Sequence, residues 1–249
     1  MTLHPLARQF ASLADVYERG RPEHAPAVAG ALCAELGLAR EAPVLDLAAG
    51  TGKLTRALVA AGLDVTAVEP QESLRSKLAA SVGQERVLEG LAEAIPLADD
   101  AVAAVTIADA FHWFDRSAAL AEITRVLRPA GGLAVVSTVP DWREASWAHD
   151  LGELISQARP QHPYFDGPPW QEAVREAGGW GEPWEVRVMS SQAADAEQTL
   201  AWVSSFSWVA ALSEADRAEL LARAADLIGA GQTPAQMRVH VTLGLALRV

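Results

Sequence analysis

Hydrophobic positions in residues 1–139 follow two periods, one typical of helices and one typical of buried strands. Leu6, Phe10, Leu13 and Tyr17 recur at helical spacing, and a second helix is predicted over 25–36 after the break at 20–22. The predicted strands are Pro43–Leu47, Asp64–Val68, Val87–Glu89, Val102–Ala108 and Leu133–Thr138, separated by helices at Lys53–Ala61, Ser73–Val82 and Ala118–Leu127. This alternation predicts a parallel sheet with helices on both faces.

The pattern changes after residue 140. Residues 141–184 are rich in Trp, Pro and Gly and show no clear period. Beyond them, Glu185–Met189 and Arg238–Val249 alternate as strands do, whereas Ala196–Val209 and Glu214–Ile228 have helical spacing. We expect the two late strands to extend the edge of the sheet and the helices to cover it as a lid.

Composition narrows the possible partners. The 249 residues carry a formal net charge of −12, which disfavours nucleic acid because the chain repels phosphate backbones. The single cysteine, Cys33, cannot form an internal disulfide or a structural zinc site of several cysteines, and no metal site is predicted. No apolar run is long enough for a membrane helix, and residues 1–10 lack the hydrophobic region of a signal peptide. We expect a cytoplasmic protein without a membrane partner.

A glycine-rich turn follows the first predicted strand, in the segment Asp46-Leu47-Ala48-Ala49-Gly50-Thr51-Gly52. Gly50 and Gly52 allow a sharp turn and the close approach of a ligand to the backbone, at the start of a helix. Glu69 closes the next strand, where an acid accepts hydrogen bonds from ribose hydroxyls in sheets of this kind. The pattern indicates a pocket for an adenosine-type cofactor.

Two common cofactor classes fit this turn poorly. A nicotinamide or flavin fingerprint needs a third small residue, but Gly50-Thr51-Gly52 is followed by Lys53, Leu54 and Thr55. A P-loop needs a glycine where Leu47 stands and a hydroxyl where Leu54 stands. Asp46 repels a pyrophosphate but suits a cofactor with a cationic amino group.

The segment Asp46–Gly52 resembles the first motif of class I S-adenosylmethionine-dependent methyltransferases. The resemblance covers most of the chain, and within this family the chain resembles the subgroup that contains the trans-aconitate-type enzymes. Its further motifs are Val65–Pro70, Gly90–Pro96 with Asp99-Asp100, Phe111-His112-Trp113-Phe114-Asp115, Val126–Gly132, and Tyr17 with Arg21-Pro22. It implies an α/β, Rossmann-like, doubly wound sheet of seven mostly parallel strands with a helical lid.

The resemblance also assigns residues to parts of S-adenosylmethionine. Asp46, Ala48, Gly50 and Gly52 are expected around the methionine part, Glu69 at the ribose, Pro70 and Leu74 beside the adenine, Ala92 and Glu93 at the adenine edge, Ala108 near the sulfonium, and Tyr17 and Arg21 closing the pocket. Residues 1–41 are then an N-terminal helical lid element, 42–140 the cofactor-binding core, and 141–249 the substrate lid helices with the last two strands, within one structural domain overall. Asp109 departs from the subgroup pattern, which often has Gln there; it could contact the amino group of the cofactor or shape the substrate side.

The acceptor side is less well marked. His112 follows the fourth strand and is the candidate catalytic residue, as a base or as a group that positions the substrate; a structural role for its ring stays open. Trp113, Asp141 and Trp142 are the candidate substrate-binding residues. Seven of the eight tryptophans lie after residue 140, which predicts an aromatic lining for the acceptor pocket.

We therefore expect methyl transfer to a small-molecule acceptor, at an oxygen of a carboxylate or hydroxyl, by a monomer or homodimer. Two alternatives stay open. The fold could hold S-adenosylmethionine while the chain catalyses a different reaction, or the protein could bind the cofactor without turnover.

Overall fold

The computed structural model describes residues 3–143, 146–193, 195–230 and 236–249, so the predicted segments 1–41 and 141–249 are described in part. The strands are Pro43–Leu47 (β1), Asp64–Val68 (β2), Val87–Leu88 (β3), Val102–Ala108 (β4), Leu127–Pro140 (β5), Trp184–Ala193 (β6) and Gln236–Leu247 (β7). The helices are Pro5–Arg8 (α1), Ala14–Gly20 (α2), Pro26–Glu35 (α3), Lys53–Ala60 (α4), Glu72–Val82 (α5), Arg116–Val126 (α6), Ser146–Gln157 (α7), Pro163–Asp166 (α8), Trp170–Ala177 (α9), Ala196–Ser204 (α10), Ser207–Ala210 (α11) and Glu214–Ala230 (α12).

The seven strands form one sheet in the order β3-β2-β1-β4-β5-β7-β6. Neighbouring strands from β3 to β5 are parallel, whereas β7 pairs antiparallel with both β5 and β6. The order reverses beside β1, so the carboxyl ends of β1 and β4 border the crevice in which ligands bind in such sheets. The predicted fold, including the edge position of the two late strands, is confirmed.

Helices cover both faces of the sheet. On one face, Leu32 of α3, Leu54 of α4 and Trp202 of α10 belong to one apolar cluster. On the other face, Ile123 of α6 and Val174 of α9 pack into a second cluster. Strands buried on both sides are mostly apolar, which explains why every residue of β4 except Thr106 is hydrophobic.

Local chemistry sets several helix boundaries. The carboxylate of Asp115 accepts the backbone N–H of Ala118 at 3.1 Å and so caps α6. The predicted helix over 196–209 is instead two helices, because Ser205 Oγ donates to the carbonyl of Trp202 at 2.6 Å where α10 ends. The first predicted helix is likewise divided, into α1, a 3-10 turn at Gln9–Ser12, and α2.

The N-terminal helices are tied to the core by close packing and by charge. Gly20, the last residue of α2, lies against the backbone of α10 near Ala201. Lys53 Nζ donates to the carbonyl of Glu18 at 2.8 Å and pairs with Glu23 at 2.7 Å. Among the residues described, no helix has the length and apolar character needed to cross a membrane.

Candidate functional site

The turn after β1 uses left-handed backbone at three positions. Ala48 has φ +56°, Gly50 +60° and Gly52 +92°. Such a φ is costly for a residue with a side chain, so Ala48 marks a strained position of the kind that clusters at ligand sites. A Cβ added at Gly50 would meet no atom within 4 Å, so open space lies directly beside this backbone.

Glu69 is buried at the end of β2, with 3% of its surface exposed. Its Oε2 accepts the backbone N–H of Gly50, and its Oε1 accepts that of Gln71, both at 2.9 Å. Desolvation by burial raises the pKa of Glu69 to about 7, although these two hydrogen bonds act to lower it. A carboxylate has about four acceptor sites, so two donors leave capacity for further hydroxyl groups.

A cavity of about 260 Å³ opens between this turn, the end of β4 and the N-terminal helices. Nine of the predicted cofactor-binding residues line it: Tyr17, Ala48, Gly50, Glu69, Pro70, Leu74, Ala92, Glu93 and Ala108. The lining includes four carboxylate side chains, those of Glu69, Glu93, Asp109 and Asp115. Within the described ranges, no Lys or Arg lines this cavity. This charge is unfavourable for a pyrophosphate and favourable for a cationic nucleoside.

Asp46 and Gly52 do not line this cavity, so their contact with the methionine part of the cofactor stays a prediction. Asp46 is buried and accepts the hydroxyls of Thr55 at 2.5 Å and Thr106 at 3.0 Å. It therefore joins β1 to α4 and β4, and burial raises its pKa to about 6. Gly52 is needed for packing, because a Cβ there lies 2.6 Å from the Leu78 side chain.

A second cavity, of about 210 Å³, adjoins the first. Eight aromatic side chains, from α8, α11, the residues that precede them and the segments after β4 and β5, form part of its wall: His112, Trp113, Trp142, His162, Tyr164, Phe165, Phe206 and Trp208. The predicted residues His112, Trp113 and Trp142 are thus brought together. We call this space the acceptor cavity, and the first one the nucleoside cavity.

Asp141 lies outside the lining of both cavities. Its carboxylate is 3.1 Å from Nε2 of His240, a residue of β7, and it also accepts the backbone N–H of Arg143. These contacts lower the pKa of Asp141, with the nearby His240 side chain as the largest cause. A position directly after β5 thus does not by itself turn the side chain into either cavity, and the contact of Asp141 with the substrate stays a prediction.

His112 is half-buried among other rings. The ring centroids of Trp113 and Tyr164 lie 4.4 Å and 5.2 Å from its own. Desolvation is the largest cause that lowers the pKa of His112 to about 3, and the nearby His162 acts in the same direction. The imidazole is neutral at physiological pH, and a group with so low a pKa is a weak general base.

Asp109 lies where the two cavities meet, directly after β4. Its φ of +51° is left-handed, which turns the side chain from the regular strand direction. Oδ1 accepts the backbone N–H of Thr138 at 3.0 Å. Desolvation raises the pKa of Asp109, while the charge of Arg21 opposes that shift. A carboxylate with a raised pKa is the better candidate for receiving a proton here.

Arg21 faces the acceptor cavity rather than the nucleoside cavity. Its Nε donates to Ser205 Oγ at 2.9 Å, and its guanidinium carbon lies 5.4 Å from the ring centre of Tyr17 and 4.9 Å from that of Phe206. The neighbouring Tyr17 lines the nucleoside cavity, and desolvation raises its pKa to about 12, so its hydroxyl stays protonated. These two residues separate the cavities at the N-terminal side.

Several lining residues of the acceptor cavity carry no sequence signal. His162 is buried; its Nδ1 accepts the backbone N–H of Tyr164 at 3.2 Å, which leaves Nε2–H to donate to Ser207 Oγ at 3.0 Å. The clustering of Trp after residue 140 indicated an aromatic pocket, but it could not identify Phe206 or Trp208 as its wall. Within the described residues, no group of three or more His, Cys, Asp or Glu side chains is arranged to hold a metal.

Residues 45–135 match the family model described as a methyltransferase domain. An uncharacterized methyltransferase of Mycobacterium tuberculosis is 42% identical over 169 residues, which make up 68% of this chain and 64% of that relative. The match therefore spans less than two thirds of the relative's length. A similar match, 32% identical over 155 residues, covers 62% of this chain and 61% of an uncharacterized methyltransferase of Schizosaccharomyces pombe.

Two solved structures share the fold over nearly the whole chain. A proposed type II methyltransferase from Anaeromyxobacter dehalogenans superposes with a TM-score of 0.61 at 23% identity, covering 92% of this chain and 96% of that one. A proposed methyltransferase from an antibiotic biosynthesis pathway of Anabaena variabilis gives a TM-score of 0.60 at 21% identity, covering 90% and 98%. The comparisons support the prediction of a class I methyltransferase with S-adenosylmethionine as its cofactor.

Proposed function

We propose that the protein transfers a methyl group from S-adenosylmethionine to an oxygen atom of a small-molecule acceptor. The observation that carries this proposal is that the two cavities meet, since Phe10, Asp109 and Trp113 line both. Direct transfer between two bound molecules needs such adjacency, because the reacting atoms must come within about 3–3.5 Å of each other.

The nucleoside cavity has the chemistry that the cofactor requires. Glu69 retains acceptor capacity for the ribose hydroxyls, and the open space beside Gly50 admits a ligand against the backbone. Pro70, Leu74 and Ala92 supply apolar surface for the adenine. The carboxylates around the cavity favour a molecule with sulfonium and ammonium charges over a dinucleotide.

The cofactor, when bound, supplies a methyl group already activated by a positively charged sulfur. The protein therefore has to align the acceptor and keep water away. The nucleoside cavity is lined on its N-terminal side by three aromatic rings, those of Phe10, Tyr17 and Trp113. The Phe10 ring meets the rings of Tyr17 and Trp113 edge-on, at centroid distances of 5.7 Å and 6.3 Å. These rings exclude water from the junction where transfer takes place.

Asp109 is the residue that receives the proton when the acceptor is a hydroxyl compound. It lies at the junction, and its raised pKa reflects the free-energy cost of keeping its carboxylate ionised there. His112 positions the acceptor through its neutral ring instead of acting as the base. A carboxylate acceptor needs no base, because it is already ionised.

The finer assignments belong to the same proposal. The segment Phe111–Asp115 resembles that of the trans-aconitate-type enzymes, which supports a small organic acceptor. The enzyme acts in the cytoplasm as a monomer or homodimer, with 1–41 as an N-terminal helical lid element, 42–140 as the cofactor-binding core, and 141–249 as the substrate lid helices with the last two strands.

The decisive experiment combines binding with transfer of label. In calorimetry, the protein is expected to bind S-adenosylhomocysteine and not NADH. With S-adenosylmethionine labelled in the methyl group, the label is expected to appear in a member of a panel of phenols and carboxylic acids. Binding of NADH alone would refute the proposal. Binding of S-adenosylhomocysteine without transfer to any acceptor would favour the two alternatives left open by the sequence.

A further inference from the structure

The acceptor cavity has a continuous aromatic wall with a cation at each end. Phe206 and Trp208 are stacked, with ring centres 4.7 Å apart and planes 19° apart. Phe165 meets Trp208 edge-on at 6.0 Å. Arg21 lies over Phe206 at 4.9 Å, and Arg159 lies over Phe165 at 3.8 Å. Arg21 is therefore beside the nucleoside cavity, and Arg159 lies at the other end of the aromatic wall.

Neither cation is neutralised by an ion pair within the described part of the chain. Several other arginines of this acidic protein are paired with carboxylates, as Arg56 is with Glu23 at 2.7 Å and Arg125 with Glu122 at 2.7 Å. Arg21 shares one N–H with Ser205, whereas no hydrogen bond is formed by the Arg159 guanidinium with any residue described. A half-buried guanidinium left unpaired in a chain of net charge −12 is available for an anionic ligand.

The cavity is unsuited to a cationic acceptor, although aromatic walls often bind cations. The faces of Phe165 and Phe206 are already occupied by the two guanidinium groups. Of the described residues that line the cavity, Asp109 is the single carboxylate, and it lies beside Arg21. The aromatic surface instead fits the apolar body of a ligand whose charge is negative.

The two ends of the cavity differ in exposure. Phe165 is 48% exposed and Tyr164 is 38% exposed, so α8 and Arg159 form the mouth. At the inner end, Thr138 is 8% exposed, lines the cavity, and has a hydroxyl without a hydrogen-bond partner. A ligand that spans the cavity thus meets a polar group at both ends and rings between them.

We propose that the acceptor is a flat hydroxyaryl carboxylic acid that binds with its carboxylate at Arg159 and its hydroxyl at the junction near Asp109 and Thr138. This inference rests on the proposed function and names the substrate class for it. Arg159 is then a specificity-determining residue, because it distinguishes an acid from a neutral molecule of the same shape at the end away from the reacting oxygen.

The test uses matched acids and amides. The full-length protein, saturated with S-adenosylhomocysteine, is titrated with para-hydroxycinnamate and para-hydroxybenzoate and with the primary amide of each, and the change in tryptophan fluorescence is followed. At least one acid is expected to bind about tenfold or more tightly than its amide, because hydrogen bonds between charged groups are the stronger kind. Arg159→Gln is expected to remove this preference, while S-adenosylhomocysteine affinity stays unchanged.

Arg187→Gln is the matched control, since Arg187 is an exposed residue of β6 that does not line the cavity. It is expected to keep the preference for the acid. Equal binding of acid and amide, no binding of either pair, or an unchanged preference in Arg159→Gln overturns the proposed substrate class. Failure of the wild-type protein to bind S-adenosylhomocysteine is the separate outcome that overturns the proposed function itself.

Discussion

The backbone N–H of Gly50 donates a hydrogen bond of 2.9 Å to Oε2 of Glu69. This contact joins the turn after β1 to the end of β2, two segments that the parallel pairing of these strands places side by side. The same carboxylate that orders the glycine turn is therefore available to a ribose. We therefore expect binding of the nucleoside and local order in the turn to depend on one side chain.

Replacing Glu69 with Ala is expected to weaken binding of S-adenosylhomocysteine by about 1–3 kcal/mol, because charge-assisted hydrogen bonds are lost. Isothermal titration calorimetry measures the change. Glu176→Ala serves as the control, since Glu176 is exposed on α9. The affinity of this variant for S-adenosylhomocysteine is expected to equal that of the wild type. Unchanged affinity in a folded Glu69→Ala protein contradicts the placement of the ribose.

Binding of S-adenosylhomocysteine is also expected to depend on pH through Glu69. The ionised form accepts hydrogen bonds from the ribose, and burial raises its pKa to about 7 in the unliganded protein. Affinity should therefore fall by about tenfold as the pH is lowered from 8 to 6, as the ionised fraction falls. Calorimetric titrations between pH 6 and pH 8 test this dependence. The Glu69→Gln protein should bind S-adenosylhomocysteine more weakly, and its affinity should change little with pH. A slope that persists in Glu69→Gln assigns the titration to another group.

Asp109→Asn is expected to slow transfer to a hydroxyl acceptor by about 100-fold or more, the usual contribution of a general base. His112→Gln should have a smaller effect, because the pKa of His112 is lowered to about 3 and its ring accepts protons poorly. His112→Gln should retain S-adenosylhomocysteine affinity, since His112 does not line the nucleoside cavity. Methyl-label transfer at saturating cofactor gives kcat, and a larger loss in His112→Gln reverses the assignment of the base.

Gly20→Ala tests the attachment of the N-terminal helices. An added Cβ lies 2.4 Å from the backbone of Ala201 and Trp202, atoms that cannot rotate away. We expect the free energy of unfolding to fall by about 1–3 kcal/mol, as in other overpacked sites. In Gly30→Ala, by contrast, the new Cβ meets nothing within 4 Å and lies inside α3, so stability should be equal or slightly higher. Denaturant unfolding compares the two, and equal effects exclude the steric explanation.

The motifs around the nucleoside cavity could be recognised in the sequence because each depends on the local backbone geometry at the end of a strand. A glycine turn at the end of a buried strand and an acid at the end of the next strand have fixed positions once the strands pair in parallel. The hydrogen-bond partners of Asp46 could not be predicted in this way. Its place in the motif was visible in the sequence, but its hydroxyl partners Thr55 and Thr106 come from two other elements.

The sequence patterns identified only part of the acceptor cavity. His162 and Ser207 are 45 positions apart in the chain yet share a hydrogen bond, and Arg21 reaches Ser205 across 184 positions. No spacing rule relates such residues, because they meet only when α10 packs against α2 and α8 contacts α11 in the folded chain.

The sequence by itself determined the alternation of strands and helices, the glycine turn, the carboxylate at 69 and the acidic balance of the chain. Each of these depends on a residue's own backbone preference, on a short repeat of hydrophobic positions, or on summed charge. The tertiary structure alone decided that Asp109 lies between two cavities and that Asp141 faces β7. It also decided that two arginines remain unpaired on an aromatic wall. These relationships arise from packing between distant segments, where shape and burial, not local periodicity, select the neighbours.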